Sequence, residues 1–558
     1  MLHLLFIILF SLVLRLYLID SMPLGVRNDE ASFGYNAYSI LQTGKDEHGE
    51  FFPLIFTAFG DQKLPVYMYS IVPMIKVFGL NNFAVRLPSA LAGTFGAVVM
   101  YLILLNIAYL RRYALLGALI LAASPWSIIM SRSAFESNVA LFFFMLGMYF
   151  YVKYERISSL KHATLSALFF GLTWYTYISY RLIIPIFFVV LYFLRRFVQK
   201  QTEHRSFFYL IIVFLIVVTP LLPTLFSHQG TARLEQIGIF SDDGVAMEIN
   251  EARTFCLDHF SRPLCYGLSN KPLVYTRQML FDFVRTLSPE YLFISGDTNT
   301  RYLDVDNFGN FHVYLLPFYV LGIVYLGRKC VTRTIGNFES LVLTGFIISP
   351  LPGMLTHGPQ MIRISSLLPF LVIMTCYGIA YSAEYFKTRI LRKVYITAHT
   401  FLAVIFGCIF CWSYIGISVP KNDVFYQTHI VKLMEYLRTV DPQTQVYIHQ
   451  LPEAITYYAY VNAVDPGFYQ KEIVYPSSDI FGFAHATDLN NIHQTSKNYD
   501  EILCTTSDHE VLFVAHENID DAIKPLKIIH SSSGVHHMYF IYDLFLFPQP
   551  NCEEFKEN

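Results

Sequence analysis

The sequence predicts an all-α polytopic membrane protein that ends in a small α/β domain outside the membrane. Three observations carry this. The 558 residues are 54% hydrophobic and only 15% charged, against about 25% charged in a soluble globular chain. Apolar runs of roughly 17–25 residues, the length that crosses a bilayer, recur as far as about residue 418. From about residue 420 the pattern changes to amphipathic helix alternating with short strand-like runs. A net charge of −2 gives no basis for nucleic-acid binding, and no period of 20–50 residues is visible.

The first apolar run, "LHLLFIILFSLVLRLYLI", has no basic start, and the "DSMP" after it is a poor cleavage site. It therefore reads as a retained span and not as a signal peptide. Orientation follows the Lys/Arg bias of short loops. The basic loops hold Arg111 and Arg112; Lys153, Arg156 and Lys161; Arg195, Arg196, Lys200 and Arg205; Arg328, Lys329 and Arg333; and Lys387, Arg389, Arg392 and Lys393. All are expected in the cytoplasm. One segment, "KLPVYMYSIVPMIKVFG" (63–79), threatens that parity. It is short, contains Pro73 and carries Lys76, so it is expected to lie on the outer surface as an interfacial helix.

With that choice the spans are expected near 3–20, 84–110, 113–130, 137–154, 162–178, 181–197, 206–226, 309–327, 338–355, 361–382 and 393–418. That is about eleven transmembrane helices in the plasma (inner) membrane, with a cytoplasmic N-terminus. The domain division is 1–419 for the membrane part, with outer loops 21–83 and 227–308, and 420–558 for the extracytoplasmic α/β domain. In the latter "FYQTHIVKLMEYLRTV" reads as helix, and "QVYIH", "EVLFVAH", "KIIHS" and "HHMYFIYDLF" read as strands.

Four cysteines fall outside the membrane in two local sets, Cys256 with Cys265 and Cys504 with Cys552. An oxidising compartment permits pairing; four free thiols are the alternative. Cys408 and Cys411 form a CxxC inside a span, where a redox or zinc role is not expected.

Charged residues gather at the outer ends of the spans. Asp29 and Glu30 follow the first span, and "GDQKLPVY" brings Asp61 and Lys63. "SRSAFESN" holds Arg132 and Glu136, "SYRLIIP" holds Arg181, and "THGPQMIRISSLLP" holds His357 and Arg363. The long loop ends in "SGDTNTRYLDVDNFGNFH", with Asp297, Arg301 and His312. Solvation accounts for any one polar turn. It does not account for carboxylates and cations converging on one face while the inner loops are mostly plain Lys and Arg. Ionisable groups at membrane depth are costly and mark function. A carboxylate can take a proton from an incoming hydroxyl, and Lys and Arg can hold a phosphate. A base facing a lipid phosphate suits sugar transfer from a polyprenyl-phosphate donor, through an oxocarbenium-like state as in glycoside cleavage.

"NDEASFGYNAYSILQTG", then "DQKLPVYMYSIVPMIKVFGLNNFAVRLPSALAG", then "SPWSIIMSRSAFESN" resemble the GT-C glycosyltransferases. Within them the chain is most similar to the bacterial branch of protein O-mannosyltransferases and the lipid A aminoarabinose transferase (glycosyltransferase family 39-like), over about residues 1–370. The resemblance implies an inverting membrane glycosyltransferase that uses a polyprenyl-phosphate sugar. The acceptor would be a protein, lipid or glycan hydroxyl. It places the catalytic carboxylate at Asp29, with Glu30 positioning the acceptor or the helix. The family's lysine–proline motif matches Lys63 with Leu64 in place of a proline, so Lys63 would face the donor phosphate with Asp61 beside it. Glu136 matches an acidic position that is more often Asp in the family. Arg181 and Arg363 are the further phosphate contacts, with Arg132 and His357 as weaker candidates.

Each of these has a plainer reading. Asp29 suits an N-cap, Glu30 a helix N-terminal carboxylate, and the basic residues interfacial snorkelling. Asp29, Glu30, Asp61 and Glu136 could gather about Mg²⁺ or Mn²⁺, but Lys63 two residues from Asp61 argues for no metal and no cofactor. A transporter or flippase of a lipid-linked or polar substrate is the alternative function. It would place charges near mid-span, where Arg15 is the main instance. A non-catalytic scaffold would not need Asp29, Glu30, Lys63 and Arg132 together.

Overall fold

The computed structural model describes the chain except residues 60, 199–204, 226–237, 242, 299–302, 357, 476–485, 507–509, 520–522, 533–536, 548–551 and 553–558. The chain forms two compact units. One joins Met1–Tyr17 to Ser89–Tyr414, and the other joins Leu18–Pro88 to Ile415–Asn558.

The first unit is helical. Described helix occupies part of each of the eleven expected spans. Among the described residues four helices are long and apolar enough to cross a membrane by length and composition: Asn82–Leu105, Phe207–Leu225, Val313–Val331 and Arg389–Lys421. The expected span 113–130 is not one helix. Arg111–Ala123 and Pro125–Arg132 meet at a 54° bend, because Pro125 cannot continue the first helix. It opens the second instead, with Ser124 accepting the Ser127 amide at 3.2 Å as its cap. Helices Leu316–Val331 and Leu367–Ala383 approach closely at paired glycines. A Cβ on Gly322 would meet the Met374 carbonyl at 2.1 Å, and one on Gly378 would meet that of Phe318 at 1.8 Å. Small residues permit such approaches between membrane helices. The long loop folds into helices Asp243–Leu257, Arg262–Leu268 and Lys271–Thr286, and a Cys256–Cys265 disulfide ties the first two.

The second unit begins with helix Asn28–Thr43. A hairpin of β1 (Phe56–Ala58) and β2 (Asp61–Lys63) follows, then helix Pro65–Phe78. That last helix is the expected interfacial segment. Pro65 opens it, and Tyr67, Met68, Ile71 and Ile75 are buried at helical spacing. Val77 and Phe78 are exposed.

The tail supplies β3 (Gln445–His449), β4 (Asp488–Leu489), β5 (Ile492–Thr495), β6 (Val511–Ala515), β7 (Lys527–His530) and β8 (His537–Asp543). They form one sheet in the order β4-β5-β3-β6-β8-β7. Its centre is parallel, β3 with β5 and with β6, and its edges are antiparallel. Each of the four expected strand runs is a strand, and the expected helix is Thr428–Leu437. Cys504 and Cys552 are disulfide-bonded.

The domain division differs from the expected one. The first outer loop does not group with the membrane helices but with the tail. Helix Asn28–Thr43 packs on the tail helix Ala454–Val461. Tyr35 donates to the Val464 carbonyl at 3.3 Å and stacks edge-on against Tyr469. Gln470 reaches Ser39 Oγ at 3.0 Å and the Asp46 carbonyl at 2.9 Å.

Candidate active site

Asp29 and Glu30 occupy the first turn of helix Asn28–Thr43, where the positive end of the helix dipole favours carboxylates. One residue apart, their side chains leave the helix in different directions and meet different surroundings. Glu30 is 3% exposed. Its two oxygens take the Arg86 fork, Nε to Oε1 and Nη2 to Oε2, each at 2.9 Å. Oε2 also accepts the Arg27 amide at 3.3 Å. Arg86 is as deeply buried and spends its remaining donors on backbone carbonyls: Ile19 and Pro23 at 2.9 Å and Gly25 at 2.8 Å. Glu30 thus ties the first turn of its helix to Arg86.

Asp29 is reached by solvent, its side chain 39% exposed. Lys63 lies 3.0 Å from Asp29 Oδ1 and 3.3 Å from Asp61 Oδ2, with its side chain 11% exposed. The β1–β2 hairpin sets this geometry. Asp61 pairs with Ala58 and Lys63 with Phe56. Residues two apart on a strand share a face, so Asp61 and Lys63 present their side chains together. Lys63 is also the last strand residue before Leu64, the N-cap of helix Pro65–Phe78. The expected trio of Asp29, Asp61 and Lys63 is thus one ion network, with a cation between two carboxylates. Further along the same helix Asn36 donates to Glu47 at 2.8 Å, and burial raises the Glu47 carboxyl above the usual carboxylate range. Among the described residues no three His, Cys, Asp or Glu side chains gather to hold a metal ion.

The other site candidates lie in the first unit. Arg132 is fully buried, and its guanidinium donates to the carbonyls of Leu14 at 2.9 Å, Arg15 at 3.2 Å and Tyr17 at 2.8 Å. It caps the end of the first helix, whose last carbonyls have no partner within the helix. Arg15, the mid-span charge, is likewise tied inward, to Ser127 Oγ at 2.7 Å and Ser131 Oγ at 3.1 Å. Glu136 opens helix Glu136–Ile157 and is half-buried. Arg181 donates to the Trp174 carbonyl at 3.4 Å, and Arg363 to that of Thr356 at 2.6 Å. Their two segments are joined by Tyr180 and Ser365, whose hydroxyls are 3.2 Å apart. Asp297 holds the same late loop by accepting the Met361 amide at 2.7 Å. His312 contacts the Ala123 carbonyl at 2.8 Å. His357 lies outside the described residues.

Arg86 was not singled out from the sequence. The signal was present, because an arginine inside the apolar run "FAVRLPSALAG" needs a buried partner.

No curated protein matches the sequence. Solved structures of two proteins are among those that resemble the fold. ArnT from Cupriavidus metallidurans bound to undecaprenyl phosphate matches with a TM-score of 0.53 and 12% identity, over 97% of this chain and 96% of that one. The archaeal oligosaccharyltransferase AglB from Archaeoglobus fulgidus, in complex with an inhibitory peptide and a dolichol-phosphate, matches with a TM-score of 0.52 and 13% identity. That match covers 82% of this chain and 63% of AglB, so the chain spans less than two thirds of that relative's length. Residues 5–227, the stretch that holds Asp29, Asp61, Lys63, Arg86, Glu136 and Arg181, match the model of the dolichyl-phosphate-mannose-protein mannosyltransferase family.

Proposed function

We propose that the protein transfers a sugar, with inversion, from a polyprenyl-phosphate donor to an acceptor hydroxyl at the outer face of the membrane. The observation that carries this is the Asp29–Lys63–Asp61 network within a matched family domain. Asp29 takes the proton of the acceptor hydroxyl. The acceptor oxygen bonds to the sugar carbon as the bond from that carbon to the phosphate oxygen breaks, and the polyprenyl phosphate leaves with the negative charge. The Lys63 ammonium stabilises that charge. Arg181 and Arg363 are proposed as phosphate contacts on their chemistry, since a planar guanidinium takes phosphate through two parallel bonds. No divalent metal is required in this scheme, because Lys63 supplies the cation. The solved relatives support the lipid class: ArnT is bound to undecaprenyl phosphate and AglB is in complex with a dolichol-phosphate.

The test compares envelope material by mass spectrometry from cells lacking the protein, cells making it, and cells making Asp29→Asn. A sugar mass increment should appear with the wild type alone and survive EDTA in isolated membranes. An increment of wild-type size with Asp29→Asn removes Asp29 from the mechanism.

A further inference from the structure

At the N-terminus of the Asp29 helix the N-cap residue is Arg27, whose side chain carries only donors, and Glu30 accepts the Arg27 amide. The acceptor for the next amide, that of Asn28, comes from the tail. The Asn28 amide donates to Gln427 Oε1 at 3.0 Å. The Tyr457 hydroxyl also reaches Gln427 Oε1, and it donates to the Val26 carbonyl at 3.0 Å. Asn28 Nδ2 contacts Glu453 Oε1 at 3.5 Å.

The backbones come together here as closely as they can. Gly25 has φ +63°, and a Cβ on it would stand 2.3 Å from the Tyr426 carbonyl and 3.0 Å from the Thr428 amide. Gln427 is itself left-handed at φ +57°, a conformation that is uncommon for a side chain of its size. It is thus held in a sparsely populated conformation where its amide oxygen accepts the Asn28 amide and lies against the Tyr457 hydroxyl. Tyr457 is fully buried. Every one of these groups belongs to the second unit.

We propose that Gln427, backed by Tyr457, is a positioning residue for the reaction: the tail domain caps the catalytic helix and thereby fixes where Asp29 stands. This rests on the glycosyltransferase reading given above. On it, the tail is part of the active site, although all the sequence motifs lie in the first part of the chain. Gln427 touches no substrate. It acts through the Asn28 amide, which neighbours Asp29 in the chain.

The experiment uses the full chain in lipid nanodiscs, with Gln427→Leu and Gln427→Glu. The glutamate keeps an acceptor oxygen for both donors; the leucine does not. Hydrogen exchange at the amides of residues 28–31 should rise about tenfold or more in Gln427→Leu and stay near wild type in Gln427→Glu. With polyprenyl-phosphate mannose as donor, kcat should fall about 10- to 100-fold in Gln427→Leu, the size expected for a misplaced catalytic group. The KM for donor should stay within about twofold, and Gln427→Glu should restore kcat. Wild-type exchange in Gln427→Leu overturns the cap. A loss in KM alone, or equal losses in both variants, overturns the positioning role. If the wild type transfers no sugar to any acceptor, the glycosyltransferase reading fails, while the exchange data still decide whether the tail caps the helix.

Discussion

Replacing Arg86 with methionine removes one half of a buried ion pair and leaves the other behind. Glu30 is 3% exposed and Arg86 1%, so water cannot replace the lost partner. Breaking such a pair costs about 3–5 kcal/mol, because an uncompensated charge stays buried. The carbonyls of Ile19, Pro23 and Gly25 lose their donor as well, and each buried orphan is worth about 1–3 kcal/mol, short of additivity. For a unit of roughly 150–250 residues, each kcal/mol moves the melting point by about 2–4 °C. A drop of roughly 8–15 °C is expected in the unfolding of the second unit, read by tryptic cleavage after Lys432 or Lys471 across a temperature ramp in detergent. Adding Glu30→Gln removes the stranded charge, so the double variant should melt above Arg86→Met alone. Arg86→Lys keeps the charge but loses the fork and should fall between. A shift under about 3 °C for Arg86→Met, or a double variant that melts lower still, refutes the reasoning.

Two further outcomes follow from the same unit. His429 is 5% exposed against Tyr539 and near His516, and burial pulls its imidazole from 6.5 down to about 4. The unfolded chain takes up a proton below 6.5 and the folded one does not until about 4, so stability is lost as pH falls across that window. That amounts to about 3 kcal/mol at about 1.4 kcal/mol per unit. Melting of His429→Leu from pH 7 to pH 4.5 should be flatter than wild type by that amount, and parallel curves would exclude it. Single cysteines at Glu50 and Lys421, both exposed, in a background with Cys330 and Cys408 replaced by serine, should label in intact cells with a membrane-impermeant thiol reagent. One at Arg112 should label only after lysis. Labelling of Glu50→Cys without Lys421→Cys would mean that 63–79 crosses the membrane.

What the sequence made legible was what repeats along the chain or alternates over a short distance. Apolar length located a helix in each expected span, yet it could not see the break at Ser124–Pro125, where one proline and one cap outweigh a continuous apolar run. Strands β3, β6, β7 and β8 were visible as β-branched and aromatic runs. β4 and β5 were not, being a two-residue and a four-residue strand of "DL" and "IHQT" that owe their place to neighbours. At the site, Asp29 and Lys63 were legible as a carboxylate and a cation in neighbouring motifs, and the structure brings them to 3.0 Å. The bonds of Arg132 to the end of the first helix were not legible, because charge in an outer turn looks alike whether it faces a ligand or caps a helix. The union of the first loop with the tail had no local signal: Asn28 and Gln427 are joined by a hydrogen bond across 399 residues of sequence.

That separation has a consequence for how the protein is made. Leu18–Pro88 leaves the ribosome more than 300 residues ahead of the segment that completes its unit, Ile415–Asn558. At roughly 5–20 residues per second, the helix that carries Asp29 waits on the order of 20–80 seconds for Gln427 and Tyr457. During that interval Gly25 faces no Tyr426, and the Asn28 amide has no acceptor from the tail. A chain halted early would display Asp29 without the contacts that Gln427 and Tyr457 give its helix, so the second unit is completed only in the last quarter of synthesis.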